Sequence, residues 1–137
     1  MWDNASVSQI GLQQIDAVLK FLPLFESQDF IPGEWIEKQG FFPHFSYSPE
    51  VLAFIRALYE QNFVLTFDWF NWSETATKYQ ENPQALNSAD LLTLRKLLTA
   101  HVRADRFTEG HLAAVLQSGH IVAILKRVRQ LRNGKAE

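Results

Sequence analysis

Apolar residues recur every three or four positions along most of this 137-residue chain. Three runs show the spacing most clearly: Val51, Leu52, Ile55 and Leu58; Leu91, Leu94, Leu98 and Val102; and Ile121, Ile124, Leu125 and Val128. This period places the apolar side chains on one face of an α-helix, whereas a half-buried strand alternates at every second residue. The pattern therefore predicts an all-α fold, a compact bundle of about five or six helices with at most one short strand.

Residues that cap helices precede several of these runs. Ser48-Pro49-Glu50 combines an N-cap side chain, a proline at the first helical position and an acid at the positive end of the helix dipole. Later helices are expected to begin after Asp68, Ser88 and Thr108. A capping-box spacing over residues 6–9 indicates an earlier helix, which Pro23 is expected to end or bend.

The middle of the chain is rich in aromatic residues. All but three of them lie between Phe25 and Tyr79. Residues 24–47 carry turn and loop signals and are expected to be irregular. Because aromatic rings bury readily and basic residues are few here, we predict an aromatic-rich irregular segment packed on the helices, with a stacking platform as the alternative. Residues 63–67 are either a short strand or a buried connection.

Length and composition limit the class of protein. The length is typical of one domain, so we predict a single helical domain over residues 1–137. The absence of cysteine excludes disulfides and thiolate sites and fits a cytoplasmic location. No segment approaches the roughly 20 apolar residues that span a bilayer, so we expect a soluble protein without a membrane partner. No glycine-rich phosphate loop is present, and we expect no cofactor.

The small net charge of −2 conceals an uneven distribution. Residues 1–90 carry 4 basic and 12 acidic side chains, whereas residues 91–137 carry 9 basic and 3 acidic ones. Such a split either marks an anion-binding surface or lets the two halves attract each other within the fold, and we favour the second interpretation. The last predicted helix has an apolar start and a basic end, the reverse of a DNA-recognition helix, which argues against nucleic acid.

Polar groups concentrate between His101 and His111. In a helix that runs from Ser88 to Asp105, His101 and Asp105 share the face of Leu94 and Leu98. The opposite stripe holds Arg95, Thr99, Arg103 and Arg106. A carboxylate that faces the interior needs partners, so we expect Asp105 to be largely buried and to accept at least two hydrogen bonds or ion pairs. The expected donors are His101, Arg106, Thr108 and the backbone N–H groups at the start of the next helix.

The candidate ligand-binding residues are Arg103, Asp105, Arg106, Glu109 and His111. We favour a structural role for Asp105 at the helix junction, since ion-pair networks perturb ionisable groups without catalysis. The alternative is that all five side chains surround a small pocket. Three histidines, His101, His111 and His120, lie near these acids in sequence. Their spacing matches no standard zinc pattern, so we expect no metal.

One stretch resembles a known family. Arg103-x-Asp105-Arg106-Phe107-x-Glu109-Gly110, followed by Gly119-x-Ile121 and Ile124-Leu125-x-Arg127, is similar to a family of small bacterial proteins of unknown function. The similarity covers about residues 45–130 and includes Trp69-x-x-Trp72. It implies a compact, mainly helical domain and no reaction type.

Two classes of function follow from the sequence. The first is a binding or regulatory module that holds an anionic small molecule or protein partner near residues 103–111. The second is a small hydrolase-like or transferase-like enzyme, with Asp105 or His111 as base and Arg103 or Arg106 holding an anion. We favour the first, because no complete catalytic arrangement can be assembled. The sequence leaves the ligand and the oligomeric state open.

Overall fold

A computed structural model describes the backbone of residues 10–136 and the side chains of residues 10–134. This part of the chain forms seven α-helices and one two-stranded antiparallel sheet. The elements are α1 (Leu12–Leu19), α2 (Leu22–Glu26), β1 (Gly33–Ile36), β2 (His44–Tyr47), α3 (Pro49–Glu60), α4 (Ser73–Glu81), a 3-10 helix (Pro83–Ser88), α5 (Leu91–Ala104), α6 (His111–Gln117) and α7 (His120–Ala136). The mostly helical class is confirmed, with one strand and at least one helix more than predicted.

The helix ends follow the local sequence signals in part. Ser48 caps α3 as predicted, since its Oγ accepts a hydrogen bond from the N–H of Val51 at 3.3 Å. The expected end of the first helix at Pro23 is wrong, since α1 ends earlier, at Leu19, and Pro23 lies in the first turn of α2. The capping-box spacing at residues 6–9 lies outside the described residues.

Three other predicted helix starts are wrong. Asp68 closes a local turn with Asn71, and α4 begins only at Ser73. Ser88 ends the 3-10 helix, so Asp90 caps α5 instead, with its Oδ1 2.8 Å from the N–H of Thr93. Helix α6 follows Gly110 rather than Thr108. At Asp68, a side chain that can cap a helix stabilises a tight turn instead, because both structures use the same bond from side chain to backbone.

Helix α5 is buried on almost every side, which corrects the predicted polar stripe. Arg95 and Thr99 are both buried. The Thr99 hydroxyl accepts a hydrogen bond from the N–H of Leu65 at 2.9 Å, and the Arg95 guanidinium donates to the carbonyl of Asn62. The connection over residues 61–67 therefore covers this face, and residues 63–67 form a buried connection rather than a strand. Of the predicted stripe, Arg103 is half-buried and Arg106 exposed.

The segment predicted to be irregular contains a β-hairpin. β1 pairs with β2 in a register that sets Gly33 opposite Tyr47 and Trp35 opposite Phe45. The Trp35 and Phe45 rings meet edge to face at 5.5 Å, a cross-strand contact that stabilises short antiparallel pairs. The prediction of irregular structure over residues 24–47 is therefore wrong for these two strands.

The core lies where α7 packs against the rest of the molecule. Helix α7 contacts α1, α2, α5, α6 and the 3-10 helix. Its predicted apolar face is confirmed as buried at Ile121, Ile124, Leu125 and Val128. Phe21, Phe25 and Phe54 pack together within this core, whereas Phe41, Phe42 and Phe70 are exposed. No helix in the described residues is long and apolar enough to cross a membrane.

Gly110 sets how closely the hairpin approaches the helices, and its replacement is a first prediction. Its φ is +78°, and a β-carbon added here would lie 2.9 Å from the Trp35 ring. We expect Gly110→Ala to destabilise the protein by about 2 kcal/mol, since left-handed backbone strain and a clash add together. The free energy of unfolding in urea measures it.

Gly119 provides the matched control. It has a similar φ of +85°, but nothing lies within 4 Å of an added β-carbon. Gly119→Ala should therefore cost only the backbone strain, about 1 kcal/mol. Equal losses at the two glycines would contradict the role given to the Trp35 contact.

Candidate functional site

The turn between α5 and α6 carries the candidate residues. α5 ends at Ala104, and its carbonyl accepts the N–H of Thr108 at 3.0 Å. The carbonyl of Thr108 then accepts the N–H of His111 at 3.0 Å, which starts α6. This tight turn directs the acidic and basic side chains to different neighbours.

Asp105 ties the start of α6 to the hairpin. Its Oδ1 accepts hydrogen bonds from the Tyr47 hydroxyl at 2.5 Å and from the N–H of Leu112 at 2.9 Å. The Tyr47 hydroxyl in turn accepts the N–H of Ala113 at 3.2 Å. Burial, reinforced by the bond to Asp105, raises the pKa of Tyr47 above its ordinary value. The carboxylate also lies at the N-terminal end of α6, where the helix dipole favours negative charge.

The prediction for Asp105 is confirmed in its contacts and wrong in its burial. It accepts two hydrogen bonds, one of them from the predicted backbone donor at the next helix start. It is half-buried rather than largely buried, because it caps the end of α5 instead of lying within the helix. Tyr47, the second donor, lies on a strand that the sequence did not reveal.

Glu109 also contacts the hairpin. Its Oε2 accepts the N–H of Phe45 at 3.3 Å from an exposed position. Both acids of the candidate set therefore hold the helix junction and the hairpin together.

His111 belongs to a cluster of three histidines. Its Nε2 lies 3.1 Å from Nδ1 of His101, within hydrogen-bond distance. The His101 ring stacks on His111 at 5.3 Å and meets the edge of His120 at 5.2 Å. His101 and His120 are only 3% and 6% exposed. The sequence contained all three residues, but only the packing of α5, α6 and α7 brings them together.

Burial keeps this cluster neutral. It lowers the pKa of His101 to about 3, with help from the neighbouring histidines, and that of His120 to about 4. Burial also lowers the pKa of His111, opposed by the Asp105 charge. Among the described residues, Nε2 of His101 and Nε2 of His120 are buried without a hydrogen-bond partner. The side chains of residues 10–134 include no group of three histidines or carboxylates placed to hold a metal ion.

The two arginines of the candidate set contact Tyr59 of α3 instead. The Arg103 guanidinium carbon lies 5.8 Å from the centre of the Tyr59 ring, in a cation–π contact. Arg106 Nη2 donates to the Tyr59 hydroxyl at 3.2 Å. Within the described part of the chain, neither guanidinium lies within 4.0 Å of a carboxylate oxygen.

Exposed aromatic rings lie beside these arginines. Phe107 follows Arg106 and is 79% exposed, with its ring 5.8 Å from that of Trp69. Phe70 is 71% exposed and lies 6.0 Å from Trp69. We call the set of Tyr59, Trp69, Phe70, Arg103, Arg106 and Phe107 the arginine–aromatic surface.

Two cavities lie elsewhere on the molecule. One of about 260 Å³ is lined by Ile36, Lys38, Phe41, Phe42 and His44 at the end of the hairpin where a loop connects β1 to β2. Another of about 460 Å³ is lined by residues of α4 and the 3-10 helix. Neither involves residues 103–111.

The basic end of the chain pairs with its acidic beginning. Lys126 lies 3.5 Å from Glu26, and Arg132 lies 2.9 Å from Asp16. Arg127 donates to the carbonyl of Ala89 at 3.0 Å. These contacts agree with the favoured interpretation of the uneven charge, attraction within the fold.

Comparison with known proteins identifies the family without giving an activity. Neither a curated protein nor a solved structure matches the chain. One family model, described as a family of unknown function (DUF6508), matches residues 10–134, a longer stretch than the similarity seen in the sequence. That match covers all seven helices apart from the last residues of α7, together with the hairpin. The chain therefore belongs to the DUF6508 family.

Proposed function

We propose that this protein is a binding or regulatory module that holds an anionic ligand or partner at Arg103 and Arg106. One observation carries the proposal: both guanidiniums gather on Tyr59, and neither is neutralised by a carboxylate in the described residues. Arginine presents a rigid fork of donors that suits carboxylate and phosphate groups. An anion that bound here would meet two cations already oriented by the Tyr59 ring.

The enzyme hypothesis has less support. It needs Asp105 or His111 as a base beside the arginines. Asp105 Oδ1 already accepts two donors, and His111 Nε2 faces His101. The neighbouring exposed rings of Phe70 and Phe107 suit a contact surface better than a catalytic cleft.

The absence of cysteine supports a cytoplasmic location. The cytoplasmic location and a bacterial origin both stay predictions. One hydrophobic cluster contains buried residues from Ile10 to Val128, which supports a single domain.

Thermal unfolding with anionic probes tests the proposal. Polyglutamate, citrate and inorganic phosphate at low ionic strength are the probes. We expect at least one to raise the unfolding midpoint of the wild type by several degrees, since ligand at 100 times Kd stabilises by about 2.7 kcal/mol. Arg103→Ala combined with Arg106→Ala should abolish the response and change the stability by only about 0.5 kcal/mol per substitution.

Arg129, exposed on α7, provides the matched control. Arg129→Ala should leave the response to the probe unchanged. If no probe shifts the wild type, or if all variants respond equally, the proposal is wrong. A double variant that unfolds at a much lower temperature would show that the two arginines are structural.

A further inference from the structure

The arginine–aromatic surface continues along α3. Leu52, Arg56 and Tyr59 follow at intervals of four and three residues, so they lie on one stripe of the helix. Leu52 is 49% exposed and Tyr59 is 37% exposed, and Arg56 is exposed between them. The stripe therefore adds an apolar side chain and a third cation to the surface.

This area contains both apolar and cationic side chains. It combines side chains from α3, from the turn before α4 and from the junction of α5 with α6. Three arginines stand among exposed Leu52, Phe70 and Phe107. Of the carboxylates close in sequence to these rings, Asp68 is engaged with Asn71 and Glu109 with the N–H of Phe45, whereas Glu60, next to Tyr59, is exposed. In the described residues none of Arg56, Arg103 and Arg106 has a carboxylate oxygen within 4.0 Å.

This composition is that of a protein interface rather than a pocket for a small molecule. Binding hot spots are enriched in Trp, Tyr and Arg, and an exposed apolar area marks an interaction surface. The two cavities described above lie elsewhere. Because the cations come from three separate positions of the chain, a free anion would contact only some of them, whereas an extended segment can contact all.

The charge of the molecule favours a protein over a nucleic acid. The net charge is −2, and the cations Lys126 and Arg132 are already paired with acids. Nucleic-acid binding relies on many phosphate contacts made by a positive surface. Three arginines on a negatively charged protein suit a short acidic segment better.

Resting on the proposed function, we infer that the occupant is a peptide segment of a partner protein in which acidic side chains alternate with aromatic or large aliphatic ones. The carboxylates would bind the arginines around Tyr59. The apolar side chains would cover Phe107, Phe70 and Leu52. Such a segment gains both charge complementarity and burial of apolar area, which neither a simple anion nor an apolar peptide provides.

A random library of displayed 12-residue peptides tests this inference. The library is selected on the wild type after depletion on the variant that carries Arg103→Ala and Arg106→Ala. We expect the enriched peptides to contain Asp or Glu within four positions of Phe, Trp or Leu. The best peptide is then synthesised in three forms: unchanged, with its apolar residues replaced by Ser, and with its acids replaced by Gln. Each replacement should weaken binding at least about tenfold in fluorescence anisotropy.

Two exposed phenylalanines provide a matched pair of variants. Phe107→Ser should weaken the unchanged peptide about tenfold and leave the Ser form unaffected. Phe42 is 93% exposed in the loop of the hairpin, and Phe42→Ser should change the affinity for neither the unchanged peptide nor the Ser form.

The outcomes separate the inference from the function on which it rests. Enrichment of purely acidic peptides, or equal binding of the Ser form, overturns the inference and leaves anion recognition standing. Enrichment of peptides that contain no acidic residue, or no enrichment on the wild type over the double variant, overturns both the inference and the proposed function. Tighter binding of a 12-nucleotide oligouridine than of any peptide overturns the inference in favour of a nucleic acid.

Discussion

Between pH 6.5 and pH 4.5 the protein should lose about 5 kcal/mol of its free energy of unfolding, and the buried histidines are the cause. The folded-state pKa of His101 is about 3 and that of His120 about 4, against an ordinary value of 6.5. Below pH 6.5 the unfolded chain therefore binds protons that the folded chain refuses. This uptake of protons stabilises the unfolded state. The free energy of unfolding therefore decreases as the pH is lowered, until the folded-state pKa values are reached.

The slope of this loss is the quantity to measure. Two such histidines make the free energy of unfolding fall by about 2 to 3 kcal/mol for each pH unit lost near pH 5. Urea unfolding followed by tryptophan fluorescence at half-unit steps of pH gives the value. The total loss of about 5 kcal/mol between pH 6.5 and pH 4.5 is a large part of the 5–15 kcal/mol that stabilises most domains. The protein should therefore unfold in mild acid.

Single substitutions assign the slope to residues. His101→Gln and His120→Gln each remove one titrating group and should each lower the slope by about 1.4 kcal/mol per pH unit. His44→Gln, on the exposed hairpin, should leave it unchanged. A stability that is flat between pH 6.5 and pH 5 would show that the folded state takes up these protons, and that the cluster is not held neutral.

The buried histidines and the carboxylates destabilise the folded protein in different pH ranges. The pKa of Asp90 is lowered by its hydrogen bonds to Thr93, so its contribution to stability is present above the ordinary pKa of 3.8 and lost below it. The histidine contribution is lost at higher pH than that. A transition centred above pH 4.5 therefore belongs to the histidines.

Local patterns predicted those parts of the fold in which one helix face meets the core. The apolar period of residues 121–128 gave the buried face of α7, and Ser48 gave the start of α3. Both are decided by residues within a few positions of each other. The inward position of His101 on α5 followed from the same geometry.

Contacts between segments that are distant in the chain could not be predicted from the sequence. Arg95 and Thr99 were placed on the stripe opposite Leu94 and Leu98, and the helical period of α5 could not reveal the connection that covers them. The Tyr59 contact with Arg106 joins residues 47 positions apart, and no periodicity predicts it. The candidate set accordingly divides into two groups: its acids contact the hairpin, whereas its arginines contact Tyr59.

The hydrogen bond between Tyr47 and Asp105 should stabilise the protein more than any other single polar contact at this junction. It joins residues 58 positions apart and fixes the hairpin to the start of α6. We expect Asp105→Ala to cost about 3 kcal/mol, because the Tyr47 hydroxyl and the N–H of Leu112 both lose a charged acceptor in a half-buried site. The partners are neutral donors rather than cations, so no stranded charge adds to this figure.

A double-mutant cycle isolates the bond itself. Tyr47→Phe removes the hydroxyl and leaves the N–H of Ala113 without its acceptor, which should cost about 1.5 kcal/mol. Because the two substitutions remove the same bond, the double variant should be about 1 kcal/mol more stable than the sum of the single losses predicts.

Glu109→Ala is the control within the same turn. Glu109 is exposed and accepts only a 3.3 Å bond from Phe45, so its removal should change the free energy of unfolding by about 0.5 kcal/mol. Chemical unfolding at pH 7.5, where the histidines are neutral in both states, keeps the two effects apart. Additive losses in the cycle would mean that Asp105 acts through α6 alone, with the hairpin held by Trp35 and Phe45 against Gly110 rather than by the tyrosine.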